Sequence, residues 1–568
     1  MDPQRIDPQR TTTAMVGSLE DLAVGTMKMA RVGDHRVVVA RTESGTHALD
    51  NACPHQGYGL ATGALAGDHI TCQWHNWKFC VVDGTCTVGE EDVRAHPVEI
   101  RGDEVWVSVT EPTDEERLVA LWPSLRRGIE ADYRGQIARD VARLLDAGAD
   151  PVDIVWEGLR IGAPKAEDGI GHEMASAADC LAAVELFDDL ERTLPVTQAL
   201  VGISETTRDR LPYSPDPEVS ARTDTVDFVA AVEAEEVDGA IAALQVALAA
   251  GADLASVRQQ FVQVVSMHHL SYGHGAIYTQ KAFEVLERVG WSRADDVLPH
   301  LARTIVYGTR EDTLPYMRKA MRAIEGVDLA ALAVAPDRHD TGWAGEPALR
   351  RVLLDVGEAP IEAAAAAVIE GAGVGGLLDA VVLAVAERLI RYDESTDHDF
   401  TTDFGWLDIS HGLTYARAAR WAWDHHPSPA TARLALFTVF LAYDTGRHER
   451  RAGVTPPRPP GEATGTLTAA IVAGRADDAM AIAAAGDPEA VGDELRRTAL
   501  LDGAGSFLVA AHLVKMARAA SEEAATTGSN LPLVATARLA AAPRLERFVA
   551  RDVAEAVEFV RTGTPPTR

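Results

Sequence analysis

The chain has 568 residues, of which 47% are hydrophobic and 24% charged, as expected of a globular protein too long for one core. Its formal net charge of −32 repels phosphate backbones and anionic lipids, so neither a nucleic-acid nor a membrane partner is expected. The N-terminal residues lack an apolar signal segment, and Glu370 and Asp379 interrupt the most apolar stretch. A cytoplasmic protein is therefore predicted.

Residues 14–110 are predicted to form β structure, because short runs rich in Val and Ile alternate with Gly, Asp and Asn turns. Within them lie Cys53-x-His55 and Cys72-x-x-His75, with sixteen residues between the two pairs. Thiolates and imidazoles in this spacing are ligands of an iron–sulfur cluster or, as the alternative, of a structural zinc ion. Two further thiols nearby fall outside the set and are predicted to be buried, namely Cys80 and Cys86.

The two motifs, "CPHQGYGL" and "CQWHNWKF", resemble the Rieske [2Fe–2S] domain. The resemblance implies that Cys53 and Cys72 bind one iron of the cluster and that His55 and His75 bind the other. Rieske proteins of respiratory complexes carry an additional disulfide between the two loops.

This chain has Tyr58 and Trp74 at the positions of that disulfide. The difference favours the lower-potential Rieske type of ferredoxins and oxygenases. A cluster of this kind transfers single electrons, so the rest of the chain is expected to carry the chemistry or a docking surface.

After "TEPTDEE" (110–116) the chain becomes rich in Ala, Leu and charged residues at helical period. The predicted fold is therefore multidomain: a small all-β Rieske domain at residues 1–112, followed by a large all-α domain at 113–568. The helical part is predicted to be a bundle or a helical-repeat array. Proline-rich stretches at 211–218 and 455–462 indicate surface connections within it.

The helical part contains four weak internal repeats, each with a small residue, a histidine and an Ala-rich helix. They read "GHEMASAADCLA", "GHGAIYTQKAFE", "SHGLTYARAARW" and "AHLVKMARAASE", and their histidines are 102, 137 and 101 residues apart. Imidazoles from four helices can converge inside a bundle and bind one metal ion. The predicted ligands are His172, His274, His411 and His512.

Lys515 lies one turn after His512 on the same predicted buried face. An unpaired buried charge is costly, so this lysine is expected to be paired, to reach solvent with its amine, or to be chemically modified. The other repeats offer Ala175, Ile277 and Thr414 at the same position.

Residues 120–560 resemble the questin oxidase family, a set of all-helical oxidases of aromatic polyketides. "HGAIYTQKAFE", "HGLTYARAAR" and "HLVKMARA" are similar to its motifs, whereas "GHEMASAADCL" has Gly171 in place of an asparagine. The resemblance implies a mononuclear non-haem Fe(II) with histidine ligands and a lysine carbamate, here at His172, His274, His411, His512 and Lys515. A carbamate would convert the lysine cation into an anion that binds metal.

The leading hypothesis is an iron-dependent oxygenase that receives electrons from NAD(P)H through a reductase or ferredoxin. Its expected co-substrate is O₂, and its substrate a polycyclic aromatic or quinone-type molecule that undergoes hydroxylation, oxidative ring cleavage or Baeyer–Villiger-like insertion. One alternative is an electron-transfer module with a helical partner-binding domain. Another is a metallohydrolase in which the lysine carbamate bridges zinc or nickel ions. The oligomeric state stays open, and an oligomer is compatible with the sequence.

Several other side chains have predicted positions relative to the same metal site. His268 and His269 are expected beside the metal without ligating it, and Asp408 is expected to orient His411. Other histidines are predicted to be solvated: His398, His425, His426 and His448. Four aromatic residues are candidates for cavity walls or for plain core: Tyr272, Tyr278, Tyr415 and Trp421.

Overall fold

A computed structural model describes most of the chain. The described ranges are 11–214, 227–355, 359–393, 405–452, 463–501, 507–542 and 549–564. The proline-rich segment 455–462, residues 215–218 of the other proline-rich segment and His398 lie outside them.

The described residues form a small all-β part followed by a large helical part, which confirms the predicted fold class. The strands are β1 (Thr11–Ser18), β2 (Thr26–Val32), β3 (His35–Thr42), β4 (Gly45–Asp50), β5 (Ala64–Ala66), β6 (His69–Thr71), β7 (Lys78–Cys80), β8 (Cys86–Val88), β9 (Ala95–His96), β10 (Val98–Arg101) and β11 (Glu104–Thr110). Their described pairs are antiparallel and give the sheets β1-β11-β10, β2-β3-β4-β9 and β5-β6-β7-β8.

Strand β3 is apolar on both faces because each face is covered by a different core. Val37 and Val39 pack with the side chains of β11, whereas Val38 and Ala40 pack with Cys53, Cys72 and their neighbours. The alternation of side chains along a strand therefore places the second core directly under the two metal-ligand loops.

The first helix starts where the composition changes. Thr113 caps it by accepting a hydrogen bond from the Glu116 amide, and the Glu116 side chain accepts one from the Thr113 amide. The helices up to Thr341 are α1 (Asp114–Ala131), α2 (Arg134–Asp146), α3 (Pro151–Gly162), α4 (His172–Ala183), α5 (Thr193–Thr207), α6 (Phe228–Glu233), α7 (Val237–Ala249), α8 (Leu254–Met267), α9 (His274–Val289), α10 (Leu298–Tyr307), α11 (Arg318–Glu325), α12 (Leu329–Ala333) and α13 (Arg338–Thr341).

The later helices continue to Thr562. They are α14 (Glu346–Leu354), α15 (Pro360–Ala367), α16 (Gly373–Arg391), α17 (Trp406–His425), α18 (Pro429–Asp444), α19 (Gly446–Ala452), α20 (Leu467–Val472), α21 (Ala476–Ala485), α22 (Pro488–Thr498), α23 (Phe507–Thr527), α24 (Leu531–Ala540) and α25 (Val549–Thr562). A π-helical turn, Val368–Ala372, joins α15 to α16.

The chain divides into two compact units. The first is built from residues 1–154, 188–197 and 549–568, and the second from 155–187 and 198–548. The first unit thus contains α1, α2 and α25 in addition to the β fold. The boundary at residue 112 stays a prediction, and it falls just after β11.

The helix Pro360–Arg391 is long and apolar enough to cross a membrane by composition alone. Most of its apolar window, 83%, is buried inside the protein. A buried core helix has the same composition, so this feature is weak evidence for a membrane span.

A buried network of ion pairs joins the helices of the second unit. On one side, Asp179 of α4 accepts hydrogen bonds from Lys281 of α9 at 2.7 Å and from Arg518 of α23 at 2.8 Å. On the other side, Arg420 of α17 pairs with Glu523 of α23 at 2.8 Å.

The same network extends to α16, where Asp379 accepts from Arg420 at 3.0 Å. Each of these charges is neutralised by a partner on another helix, which fixes the rotation of the helices relative to each other. We name these side chains the ion ladder: Asp179, Lys281, Glu284, Asp379, Arg417, Arg420, Arg518, Glu522 and Glu523.

Arg420→Met should lower the free energy of unfolding by about 3–5 kcal/mol, because it leaves the fully buried Glu523 without its bidentate partner. The matched change Arg258→Met breaks a pair with Glu287, whose side chain is 45% exposed, and should cost at most about 1 kcal/mol. Denaturant unfolding followed by circular dichroism measures both. Similar losses in the two variants would contradict a structural role for the ladder.

Candidate metal centres

Two loops of similar geometry lie above the second core of the β fold. The Cys53 amide donates to the Tyr58 carbonyl at 2.9 Å, and the Cys72 amide donates to the Trp77 carbonyl at 2.8 Å. Each loop reverses through a left-handed residue just before its end, Gly57 in the first (φ 76°) and Asn76 in the second (φ 61°). The turns hold the side chains between them in fixed positions.

The four candidate ligands of these loops come together as two pairs. The Nδ1 atoms of His55 and His75 are 3.0 Å apart. The Cys53 thiol is hydrogen-bonded to the Cys72 sulfur, which raises the pKa of Cys53 and lowers the pKa of Cys72 to about 6. Burial lowers the pKa of His55 to about 4, so its imidazole is neutral. Two sulfurs and two imidazoles in separate pairs fit the ligand set of a [2Fe–2S] cluster.

The stacked rings of Tyr58 and Trp74 link the two loops. Their centroids are 4.4 Å apart, at the positions where the resemblance implies a disulfide in respiratory Rieske proteins. All five cysteines of the sequence fall within the described residues, and all are free. Trp74 is 50% exposed, so this link lies at the surface of the first unit.

In the second unit, the four histidines of the repeats lie on four different helices. His172 and His274 are the first residues of α4 and α9 and follow Gly171 and Gly273. The other two lie inside their helices, His411 in α17 and His512 in α23.

The four imidazoles form a closed ring of neighbours, which we name the histidine tetrad. The ring centroids are 4.9 Å apart for His172 and His274, and 4.6 Å for His274 and His411. The ring closes at 4.8 Å between His411 and His512 and at 4.6 Å between His512 and His172. One nitrogen each of His172, His274 and His512 lies within 4.8 Å of the others.

Backbone carbonyls set the orientation of two tetrad members. His274 Nδ1 donates to the Ser271 carbonyl at 2.5 Å, and His512 Nδ1 donates to the Leu508 carbonyl at 2.7 Å. Each neutral ring therefore carries its lone pair on Nε2. His512 Nε2 is 2.9 Å from His411 Nε2, whereas His274 Nε2 is buried without a hydrogen-bond partner in the described part of the chain. Lone pairs held in this way fit a metal ion.

A strained turn presents His274. Ser271, Tyr272 and Gly273 have φ values of 45°, 56° and 88°, a conformation that is costly for the first two residues. A Cβ at Gly273 would lie 2.4 Å from the ring of Tyr415. Only glycine therefore fits between α17 and the start of α9.

Burial keeps the tetrad neutral. It lowers the pKa of His172, His411 and His512 well below their usual value and that of His274 to about 3. Burial also lowers the pKa of Lys515 to about 7. The site therefore disfavours a second proton on each imidazole, and neutral imidazoles are the form that binds zinc, copper, iron or nickel.

Lys515 lies against the tetrad, with its Nζ 2.7 Å from His172 Nδ1. Its side chain is buried, and within the described ranges no carboxylate lies at ion-pair distance from it. One carboxylate of the ladder, Asp179, is already shared by Lys281 and Arg518.

A cavity of about 590 Å³ opens onto one side of the tetrad. His172 and His274 line it, together with the aromatic side chains of Tyr278, Tyr307 and Phe507. Polar groups in the same wall include Glu173 and Arg210. The volume lies within the range of small-molecule sites.

His268 and His269 both lie outside the tetrad. His268 is held by Asp312 and Glu233, and His269 bonds the Tyr415 hydroxyl at 3.3 Å and lies 3.2 Å from Glu311.

The prediction that Asp408 orients His411 is wrong. The Asp408 carboxylate instead accepts from Arg447 and from His448, while His411 Nδ1 has no partner among the described side chains. His448 is buried, whereas the sequence predicted it to be solvated. Its ring is removed from solvent because it pairs with the buried Asp408.

Of the candidate aromatic walls, Tyr278 lines the cavity and lies 5.1 Å from the His274 ring between centroids. Tyr272 lies 6.3 Å from the His411 ring. Tyr415 and Trp421 are buried and pack elsewhere in the core.

The sequence reasoning missed Glu173 and the ion ladder. Their signal is the spacing: Asp179 and Lys281 each follow a tetrad histidine by seven residues, which is two helical turns on the same face. Glu173 directly follows His172, and burial raises the pKa of its carboxyl.

An antiparallel β fold that presents Cys-x-His and Cys-x-x-His from two loops defines a Rieske-type iron–sulfur domain. Residues 12–99 match the model of the Rieske [2Fe–2S] domain. The ferredoxin component of the alkene monooxygenase system of Xanthobacter autotrophicus is 33% identical over 103 residues, which are 18% of this chain and 84% of that protein. Through its N-terminal domain, the chain belongs to the Rieske [2Fe–2S] family.

Two further relatives match a similar share of the chain. The oxygenase component of 3-ketosteroid-9-alpha-monooxygenase from Rhodococcus rhodochrous is 34% identical over 83 residues, which are 13% of this chain and 22% of that protein. The structure of the ferredoxin of carbazole 1,9a-dioxygenase from Nocardioides aromaticivorans is 29% identical, has a TM-score of 0.17 and covers 17% of this chain and 96% of its own. The family supports a [2Fe–2S] cluster and an electron-transfer or oxygenase role for this domain.

Gly273→Ala should release metal from the tetrad and destabilise the second unit, because the new Cβ clashes with the Tyr415 ring. Gly251→Ala is the matched control: its φ of 87° is nearly the same, but nothing lies within 4 Å of the added Cβ. In the control, the free energy of unfolding should fall by only about 1–2 kcal/mol, because alanine is strained in the left-handed backbone conformation. Thermal melting and metal analysis compare them, and equal metal loss in both variants would contradict the packing argument.

Proposed function

We propose that the protein is a Rieske-coupled non-haem iron oxygenase of a polycyclic aromatic or quinone-type small molecule. The observation that carries the proposal is the histidine tetrad, which stands beside a cavity in a chain that also has a Rieske domain. The similarity of the helical motifs to the questin oxidase family supports iron as the metal. Cytoplasmic localisation and electrons from NAD(P)H through a reductase or ferredoxin belong to the same proposal.

In this proposal, Cys53, His55, Cys72 and His75 hold the cluster, which when bound supplies single electrons. The tetrad, His172, His274, His411 and His512, holds one Fe(II), which when bound supplies O₂ activation. The chain's contribution at the second site is to keep four imidazoles neutral and to fix two of them by backbone carbonyls.

Charge balance supports an anion beside the tetrad. Four neutral imidazoles leave a divalent cation uncompensated in a buried site, which is costly. Lys515 is the group in position to supply that anion, through reaction of its amine with CO₂. The Nζ–C bond forms, one N–H proton is released, and the product is an N-bound carboxylate adjoining His172.

The cavity supports a planar, largely apolar substrate with a few polar groups. Tyr278, Tyr307 and Phe507 offer aromatic surface, and Glu173 and Arg210 offer an acceptor and donors. Because His172 and His274 form part of the same wall, a bound molecule would contact the metal side of the tetrad. Hydroxylation, oxidative ring cleavage and Baeyer–Villiger-like insertion are the reactions that the proposal allows.

Metal analysis of the reconstituted full chain should give about three irons, two of them from the cluster. His411→Ala and His512→Ala should each lower the content to about two while the Rieske EPR signal is retained, because they remove tetrad nitrogens only. His448→Ala, another buried histidine, should keep all three, since its ring faces Asp408.

Other outcomes of that analysis favour the alternatives. About two irons and no other metal would replace the proposal by an electron-transfer module with a helical partner-binding domain. About two irons together with zinc or nickel, and turnover without O₂ or reductant, would replace it by a metallohydrolase with a carbamylated lysine.

Protein equilibrated with ¹³C-labelled CO₂ should show a carbamate carbon resonance that Lys515→Arg removes. Lys281→Arg should keep the resonance, because Lys281 is paired with Asp179 and Glu284. Lys515→Ala should lose the third iron and recover part of it in formate or acetate, which supply a replacement anion. A resonance unchanged in Lys515→Arg would refute carbamylation at this lysine.

A further inference from the structure

A second buried ion cluster lies in the first unit, beside the loop of Cys53 and His55. Glu91 is 7% exposed and accepts hydrogen bonds from two arginines of α2. Arg139 donates to Glu91 Oε1 through Nε at 3.0 Å and through Nη2 at 2.5 Å. Arg143 donates to Glu91 Oε2 at 2.7 Å. Two cations thus share Glu91, and Arg143 also donates to the buried Asp140 carboxylate at 3.3 Å.

This ion cluster reaches the iron–sulfur loop directly. Arg143 donates to the carbonyl of Pro54, the residue between Cys53 and His55, at 3.4 Å. Arg139 lines a cavity of about 230 Å³ together with His55 and Gln56. Residues of α25, Ala556 and Phe559 among them, line the same cavity.

Arg139 is buried, and its side chain lines the same cavity as the cluster ligand His55. Electrostatic interactions are strong and weakly screened in such a buried setting.

We propose that Arg139, held in place by Glu91, raises the reduction potential of the Rieske cluster. Reduction adds one electron to the cluster, so a fixed cation beside the His55 loop stabilises the reduced form. Glu91 has the opposite charge and partly offsets the arginine.

Arg139, the positive charge that is proposed to raise the potential, lies outside the Rieske fold. Arg139 lies on α2, whereas the family match ends at residue 99. A helix that follows the β fold therefore supplies a charge that the residues matching the family do not. This inference needs only the cluster and is independent of the tetrad's metal.

Redox titration of the loaded full chain, followed by visible absorption and EPR, tests the inference. Arg139→Gln should shift the midpoint potential downward, and Arg139→Lys, which keeps the charge, should stay near the parent value. Glu91→Gln should shift it upward, because it removes the offsetting carboxylate. Arg117→Gln is the control for a general charge effect, since Arg117 pairs with Asp114 and Asp146.

Iron and labile sulfide content show whether each variant holds a cluster. If Arg139→Gln loses the cluster, the direction of the potential shift in Glu91→Gln decides whether the inference holds. Opposite shifts for the two neutralised charges support the inference. Where Arg139→Gln holds no cluster, an upward shift for Glu91→Gln supports it. An unchanged potential in a loaded Arg139→Gln, or a downward shift in Glu91→Gln, would overturn it.

Discussion

The cost of burying charge governs both candidate centres. Around the histidine tetrad a second proton is disfavoured on each imidazole, because the rings are buried and Lys515 lies beside them. A site that keeps its imidazoles neutral and their lone pairs in fixed directions is suited to a metal ion. Other buried charges on the tetrad helices are paired, and the ion ladder supplies their partners.

The ladder and the tetrad depend on each other geometrically. Asp179 and Lys281 lie on the helices that begin at His172 and His274, so their pairing fixes how α4 and α9 are rotated. Arg420 and Glu523 do the same for α17 and α23. Four histidines that together span 340 residues of sequence can therefore meet within a few ångströms. A metal ion would bind histidines that the ion pairs have already brought together, and it would not be needed to bring them together.

At the candidate iron–sulfur site, main-chain turns fix the positions of the ligand side chains. The loops of Cys53 and Cys72 close with equivalent hydrogen bonds, and Tyr58 and Trp74 stack where a disulfide is implied in other members of the family. An aromatic stack resists reduction, so the link between the loops does not depend on the redox state of thiols. The arginines of α2 then place positive charge beside one ligand loop, from outside the residues that define the family.

The sequence by itself determined the β-to-helical change after Thr110 and the positions of the candidate cluster ligands and of the four helical histidines, because spacing and periodicity are local properties. Only the tertiary structure decided which charges are paired. Asp408 turns to His448 and Arg447 instead of His411, and Lys515 is left without a carboxylate within the described residues because Asp179 is engaged by Lys281 and Arg518. Such choices depend on contacts between residues distant in the chain, where the energy of a pair is set by burial and by competing partners.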